Sequence, residues 1–139
     1  MPTPVIFVPG FMQRGSAWAP VAERLPERYP SVLLDHEKQT LDGRLEEIAA
    51  AAGEGPTVLC GYSMGGRIAL RAALEHPERY AALVTIGAGA GIDDPAARIA
   101  RVDADTRMAA WMESTPIEDV VAIWERQPLF ADQSDALVD

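Results

Sequence analysis

The stretch Val58-Leu59-Cys60-Gly61-Tyr62-Ser63-Met64-Gly65-Gly66-Arg67 constrains the fold of this chain more than any other. Val58 to Cys60 read as a short buried strand, Gly61 to Gly65 fit G-x-S-x-G, and Ile68 to Leu74 read as a helix. A strand, a sharp turn and a helix in this order are the context of a nucleophile elbow. The chain reverses so tightly that the residues flanking the serine, Gly61 and Gly65, must be nearly without side chains. Ser63 then stands above the sheet at the positive end of a helix. The backbone N–H of Met64 is placed to bind an oxyanion. The bland alternative is a small residue in a strand-to-helix turn of some other α/β fold.

Read in order, the chain alternates strands and helices. Val5 to Val8 form an apolar run bounded by Pro4 and Pro9-Gly10, as a buried parallel strand does. A helix is predicted from about Trp18 to Leu25, with Trp18, Val21, Ala22 and Leu25 on one face and Pro20 in its first turn. Ser31 to Leu34 read as a second strand. Thr40 caps a helix running to about Ala52, with Leu41, Leu45, Ile48 and Ala52 at helical spacing. Pro77 stops the helix after the elbow, and Ala81 to Ile86 form another strand. This alternation predicts an α/β domain with a parallel sheet and flanking helices.

The character changes at Gly87-Ala88-Gly89-Ala90-Gly91. This loop is not G-x-G-x-x-G, because Ile92 stands where the third glycine belongs, so it gives little support to a nucleotide site. Beyond it the chain reads as purely helical. Asp94 caps and Pro95 opens one long helix. Thr115-Pro116-Ile117-Glu118 is read as a capping box for another, with Ile117, Val120, Val121 and Trp124 inward. The expected division is a partial α/β core over 1–91 and a helical segment over 92–139, either a further layer or a lid.

Charge and cysteine content narrow the function. A net charge of −9 argues against nucleic acid or an anionic membrane as partner. A local arginine cluster still permits an anionic substrate. A single cysteine, Cys60, allows no internal disulfide and fits a reducing compartment. Met1-Pro2-Thr3-Pro4 has neither the basic nor the apolar region of a signal peptide, so a cytoplasmic location is expected. His36 and His76 have no metal-ligand spacing. No metal and no cofactor is expected.

With these segments in place, the chain resembles α/β-hydrolase-fold proteins along its whole length, and looks like the N-terminal half of that fold. Within the fold it is most similar to the 2-succinyl-6-hydroxy-2,4-cyclohexadiene-1-carboxylate synthases of menaquinone biosynthesis. The residues that carry this are Gly61 to Arg67, Ala96-Ala97-Arg98-Ile99-Ala100-Arg101 with Asp105, and Trp124-Glu125-Arg126-Gln127-Pro128-Leu129-Phe130-Ala131. The resemblance implies a lyase that abstracts a ring proton and eliminates pyruvate, with Ser63 as base. It implies a small-molecule substrate bearing several carboxylates, bound by Arg67, Arg101, Trp124 and Tyr62. Arg98 is the lesser candidate. Arginine suits the task, being planar, always charged and bidentate toward carboxylate. The implied oxyanion donors are the backbone amides of Phe11 and Met64. The family usually has His-Gly before the first of these, whereas Pro9-Gly10 stands here.

The triad partners are the main departure. In this fold the order is serine, acid, histidine. His36 precedes Ser63 and is expected in a structural or rim role. His76 lies at the exit of the following helix, about 20 Å on at 1.5 Å per residue, and is expected on the surface. Asp132, Asp135 and Asp139 follow no later sheet strand. The chain therefore reads as the first half of a longer enzyme, lacking at least two strand–helix units of about 30 residues each. Its last strand would then be an exposed apolar edge. Two other readings stay open: a carboxylesterase-type hydrolase with Ser63 as nucleophile, and an inactive fragment that self-associates or pairs with a complementary chain.

Overall fold

The computed structural model describes residues 2–133. Four strands, β1 (Val5–Val8), β2 (Ser31–Leu33), β3 (Thr57–Tyr62) and β4 (Tyr80–Ile86), pair in the order β2-β1-β3-β4. Every pairing is parallel, with Phe7 opposite both Leu33 and Cys60, and Cys60 opposite Val84. All four residues of β1 are buried, because helices cover both faces of the sheet at its centre.

Alternation along β1 and β3 divides the core into two layers. Ile6, Val8 and Leu59 pack against Ile48 and Ala52 of α2 (Leu41–Ala52) and Ile68, Ala69 and Ala72 of α3 (Met64–Glu75). Val5, Phe7 and Cys60 face the other way onto Trp18. The Phe7 and Trp18 rings tilt against each other with centroids 4.9 Å apart. The predicted parallel sheet with flanking helices is thus present. β4 lies at its edge with Val84 and Ile86 nearly half exposed, as the reading of an uncovered apolar edge requires.

Helix starts follow the predicted chemistry in two places. Thr40 accepts a hydrogen bond from the Gly43 amide at 3.1 Å to open α2. Asp94 accepts from the Ala97 amide at 2.7 Å to open α4 (Pro95–Glu113). The third start is a correction. Pro116, not Thr115, precedes α5 (Ile117–Glu125), and Thr115 Oγ1 donates to the Trp111 carbonyl at 2.6 Å instead. The proline's fixed φ sets up the helix entry, which leaves the threonine to close the previous helix.

Three predicted inward residues also point out: Val21, Leu41 and Ile117 are exposed. Trp18 ends a 3-10 turn, Gly15–Trp18, and α1 covers only Ala19–Ala22. A 3.6-residue period does not hold across that junction, so Trp18, Ala22 and Leu25 turn inward while Val21 does not. Leu41 and Ile117 are the first residues of their helices, where the face has not yet turned to its support. The chain divides into two compact units between Ala90 and Gly91. The second contains α4, α5 and a 3-10 turn at Pro128–Phe130.

Candidate active site

The elbow is built as its glycines demand. Ser63 sits at φ 52° and ψ −118°, a strained conformation for a residue with a side chain. A Cβ on Gly61 would lie 2.5 Å from the Gly65 carbonyl oxygen, and one on Gly65 would collide with the carbonyls of Val8 and Pro9. Gly66 is also required, since a Cβ there would approach the Ala88 side chain at 2.6 Å. The Ser63 amide donates to the Ile86 carbonyl at 2.8 Å, tying the turn to the end of β4. The helical ladder begins with the Arg67 amide donating to the Ser63 carbonyl at 3.2 Å. The amides of Met64, Gly65 and Gly66 come before it, at the positive end of α3.

Beside the elbow lies an open cleft of about 300 Å³, lined by loop 9–14 after β1, Asp35 and His36 after β2, Arg44 of α2, and Met64. Phe11 and Met64, the two implied oxyanion positions, are therefore brought to one cleft. Loop 9–14 is held by Gln13, whose Oε1 accepts from the Gly10 amide at 3.1 Å and whose amide donates to the Gly10 carbonyl at 3.2 Å. Met12 takes φ 60° in this turn, where glycine or asparagine is usual. It and Ser63 are the only residues other than glycine with positive φ among those described. Both border this region, and strained backbone of this kind clusters at functional sites.

A part-buried histidine–carboxylate hydrogen bond supports the cleft wall. His36 Nδ1 lies 2.7 Å from Glu47 Oε2, and Glu47 Oε1 accepts from the amides of Glu37 and Lys38 at 2.9 and 2.8 Å. Burial raises the pKa of Glu47. The His36 bond and the two amides outweigh that and hold the carboxyl below its ordinary range. Arg44 Nε donates to the Lys38 carbonyl at 3.0 Å, and its Nη1 lies 3.3 Å from Met64 Sδ. Nothing in the sequence motif marks Arg44, Gln13 or Glu47. A positional signal existed for Gln13 alone, in the loop after β1, because loops after the carboxyl ends of parallel strands line such clefts; Arg44 and Glu47 lie on α2.

The remaining candidates fall in different places. The Tyr62 ring is half-buried under Gly10 and Gly87 and packs with the Trp18 cluster. Arg67 is exposed on α3. In the second unit, Arg101 Nε donates to both oxygens of Asp105 at 2.8 and 2.9 Å, an exposed pair one helical turn apart. Trp124 and Phe130 have ring centroids 6.5 Å apart. Arg98 bonds the carbonyls of Ile92 and Asp93 at the start of α4. His36 pairs with Glu47 in the cleft wall, and His76 is exposed at the end of α3. Asp132 is exposed, and Asp135 and Asp139 lie outside the described residues. Among the described residues, no helix is long and apolar enough to cross a membrane, and no cluster of three metal-ligating side chains occurs.

Comparison with known proteins agrees with this geometry. The chain is 31% identical over 153 residues to the 2-succinyl-6-hydroxy-2,4-cyclohexadiene-1-carboxylate synthase of Enterobacter sp., covering 96% of this chain and 58% of that protein. The structure of MenH from S. aureus superposes with a TM-score of 0.80 at 26% identity, covering 93% of this chain and 54% of that one. A thermophilic esterase from Thermogutta terrifontis superposes with a TM-score of 0.60 at 27% identity, covering 71% of this chain and 42% of its own. The chain thus spans about half the length of the proteins it matches. Residues 3–122 match the family described as alpha/beta hydrolase fold. With a parallel sheet, a strained serine on the strand-to-helix turn and that match over most of its length, the chain belongs to the α/β-hydrolase fold family.

Proposed function

We propose that this chain belongs to a serine-dependent lyase that eliminates pyruvate from a polycarboxylated cyclohexene, giving 2-succinyl-6-hydroxy-2,4-cyclohexadiene-1-carboxylate. The observation that carries this is Ser63, held at positive φ on the elbow of a chain 31% identical to a synthase of that name. The proposal concerns the whole protein, because this chain spans about half the length of such relatives.

In this reading Ser63 Oγ takes a ring proton as base, its own hydroxyl proton passing to the histidine that the family resemblance implies. The freed C–H electron pair becomes a ring double bond, the C–O bond to the enolpyruvyl group breaks with its electrons on the leaving oxygen, and the departing enolate takes up a proton to give pyruvate. The amides of Phe11 and Met64 stabilise the negative charge that develops on oxygen, and loss of one such donor costs on the order of 100–1,000-fold. Arg67 and Arg101 bind substrate carboxylates, and Tyr62 and Trp124 form walls. The helices of the second unit act as a lid. No cofactor takes part. The setting is cytoplasmic, and the exposed β4 edge accepts further polypeptide, from a second copy or a complementary chain. The test is release of pyruvate from the cyclohexene substrate by the native protein. Ser63→Ala should lower it by at least about 1,000-fold, a smaller loss than the roughly 10⁶-fold measured when a nucleophilic serine is removed. Undiminished release would overturn the role of Ser63.

A second reading is a carboxylesterase, supported by the likeness to the Thermogutta terrifontis esterase. Here Ser63 is a nucleophile that forms an acyl-enzyme. A phosphonate adduct on Ser63 together with a burst on simple esters would favour this reading. Pyruvate release without a burst would favour the first.

A further inference from the structure

We infer that the cleft beside the elbow contains a carboxylate-binding subsite, with Arg44 as its anchor and Arg14 as its second cation. The inference deepens the proposed function, since it assigns a subsite to the same cleft, but its evidence is separate.

Arg44 is fixed in the cleft wall. Its Nε is bound to the Lys38 carbonyl and its Nη1 rests on Met64 Sδ. A thioether is a weak acceptor. The guanidinium is therefore positioned but holds no strong acceptor on its outer nitrogens. Among the described residues, neither Arg44 nor Arg14 pairs with a carboxylate. The one acid in the lining, Asp35, is bound through Oδ1 to the Gly15 amide at 2.6 Å. Two unpaired guanidinium groups in one small cleft are unusual in a chain of net charge −9, where carboxylates are in excess.

A second observation is independent of charge. His36 lines the same cleft, and its Nε2 is buried with no hydrogen-bond partner. Its Nδ1 is committed to Glu47, which fixes the ring and leaves Nε2 as its remaining polar atom. Buried polar atoms are nearly always paired, so this orphan is a polar demand that the cleft wall itself leaves unmet. Phe11 and Met12 add apolar side chains to the same wall. Two cations and an apolar patch suit a small organic carboxylate better than inorganic phosphate. Arg44 touches the Met64 side chain, so a carboxylate bound there lies on the elbow side of the cleft.

The test is a titration of the full chain with succinate, read on backbone amides and arginine Nε–H signals by NMR. Saturable shifts are expected at Arg44 Nε–H and the amides of Gly10 and Gln13. Arg44→Gln should weaken binding by about tenfold and Arg14→Gln by about threefold, as expected when charge-assisted bonds are lost. Arg71→Gln, on an arginine already paired with Glu75, should stay within about twofold. If Arg44→Gln fails to fold, Arg14→Gln carries the test. Binding unchanged in the foldable variant overturns the subsite. So do equal shifts with the same concentration of chloride, or displacement by inorganic phosphate at a lower concentration than succinate. Pyruvate release with unchanged succinate binding in the variants would remove the subsite and leave the lyase standing. Loss of binding in a chain that releases no pyruvate would do the reverse.

Discussion

The Ser63 amide donates to the Ile86 carbonyl at 2.8 Å, joining the strained residue of the elbow to the last residue of β4. That bond, with the close approach of Gly65 to the carbonyls of Val8 and Pro9, overdetermines a conformation that serine would not hold alone. The elbow is locked by contacts from β1 and β4, elements far from it in sequence.

Ser63→Gly should therefore stabilise the fold. Positive φ costs a serine on the order of 1–3 kcal/mol, and the greater freedom of glycine in the unfolded chain offsets part of the relief. A net gain of about 1 kcal/mol is expected in urea unfolding. Ser63→Ala keeps the Cβ and should show no such gain. Equal midpoints for the two variants would mean the turn is not strained.

Gly65→Ala should cost more than about 4 kcal/mol or prevent folding, because its methyl meets backbone that cannot rotate away. Gly55→Ala is the control, with no atom within 4 Å of its added carbon, and should stay within about 0.5 kcal/mol. Thermal unfolding of both variants tests this. A tolerated Gly65→Ala would show that the elbow can widen.

Glu47 should make the fold acid-sensitive. Its pKa is below the ordinary value of 4.5 in the folded chain, so it contributes stability at higher pH that is lost as pH falls through the folded value. The urea midpoint should drop from about pH 5 downward, and Glu47→Gln should flatten that slope. At pH 7 the same variant should lose about 1–3 kcal/mol, since it weakens bonds to His36, Glu37 and Lys38. Parallel pH profiles for variant and parent would remove this role.

Cys60 should be inert in the folded chain. It is buried on β3, and that burial pushes its thiol pKa up and suppresses the thiolate. Alkylation by iodoacetamide at pH 8 should be slower by roughly tenfold or more than in urea. Equal rates would mean that β3 opens readily.

Much of this was legible in local residue order. The apolar runs of β1 and β4, the caps at Thr40 and Asp94, the stop at Pro77 and the elbow glycines all act within a few residues of themselves. Backbone sterics, helix capping and turn preference act over a few residues, so residue order alone determined the α/β alternation and the place of Ser63. The periodicity failed at Val21 because a 3-10 turn broke it, and at Leu41 and Ile117 because they begin their helices. Tertiary structure alone decided the rest. Only strand pairing in the order β2-β1-β3-β4 brings Gln13, His36 and Arg44 to the cleft beside Met64. Those residues carry no shared motif, and what joins them is the carboxyl end of a parallel sheet, where the loops after β1 and β2 meet the first turn of α2.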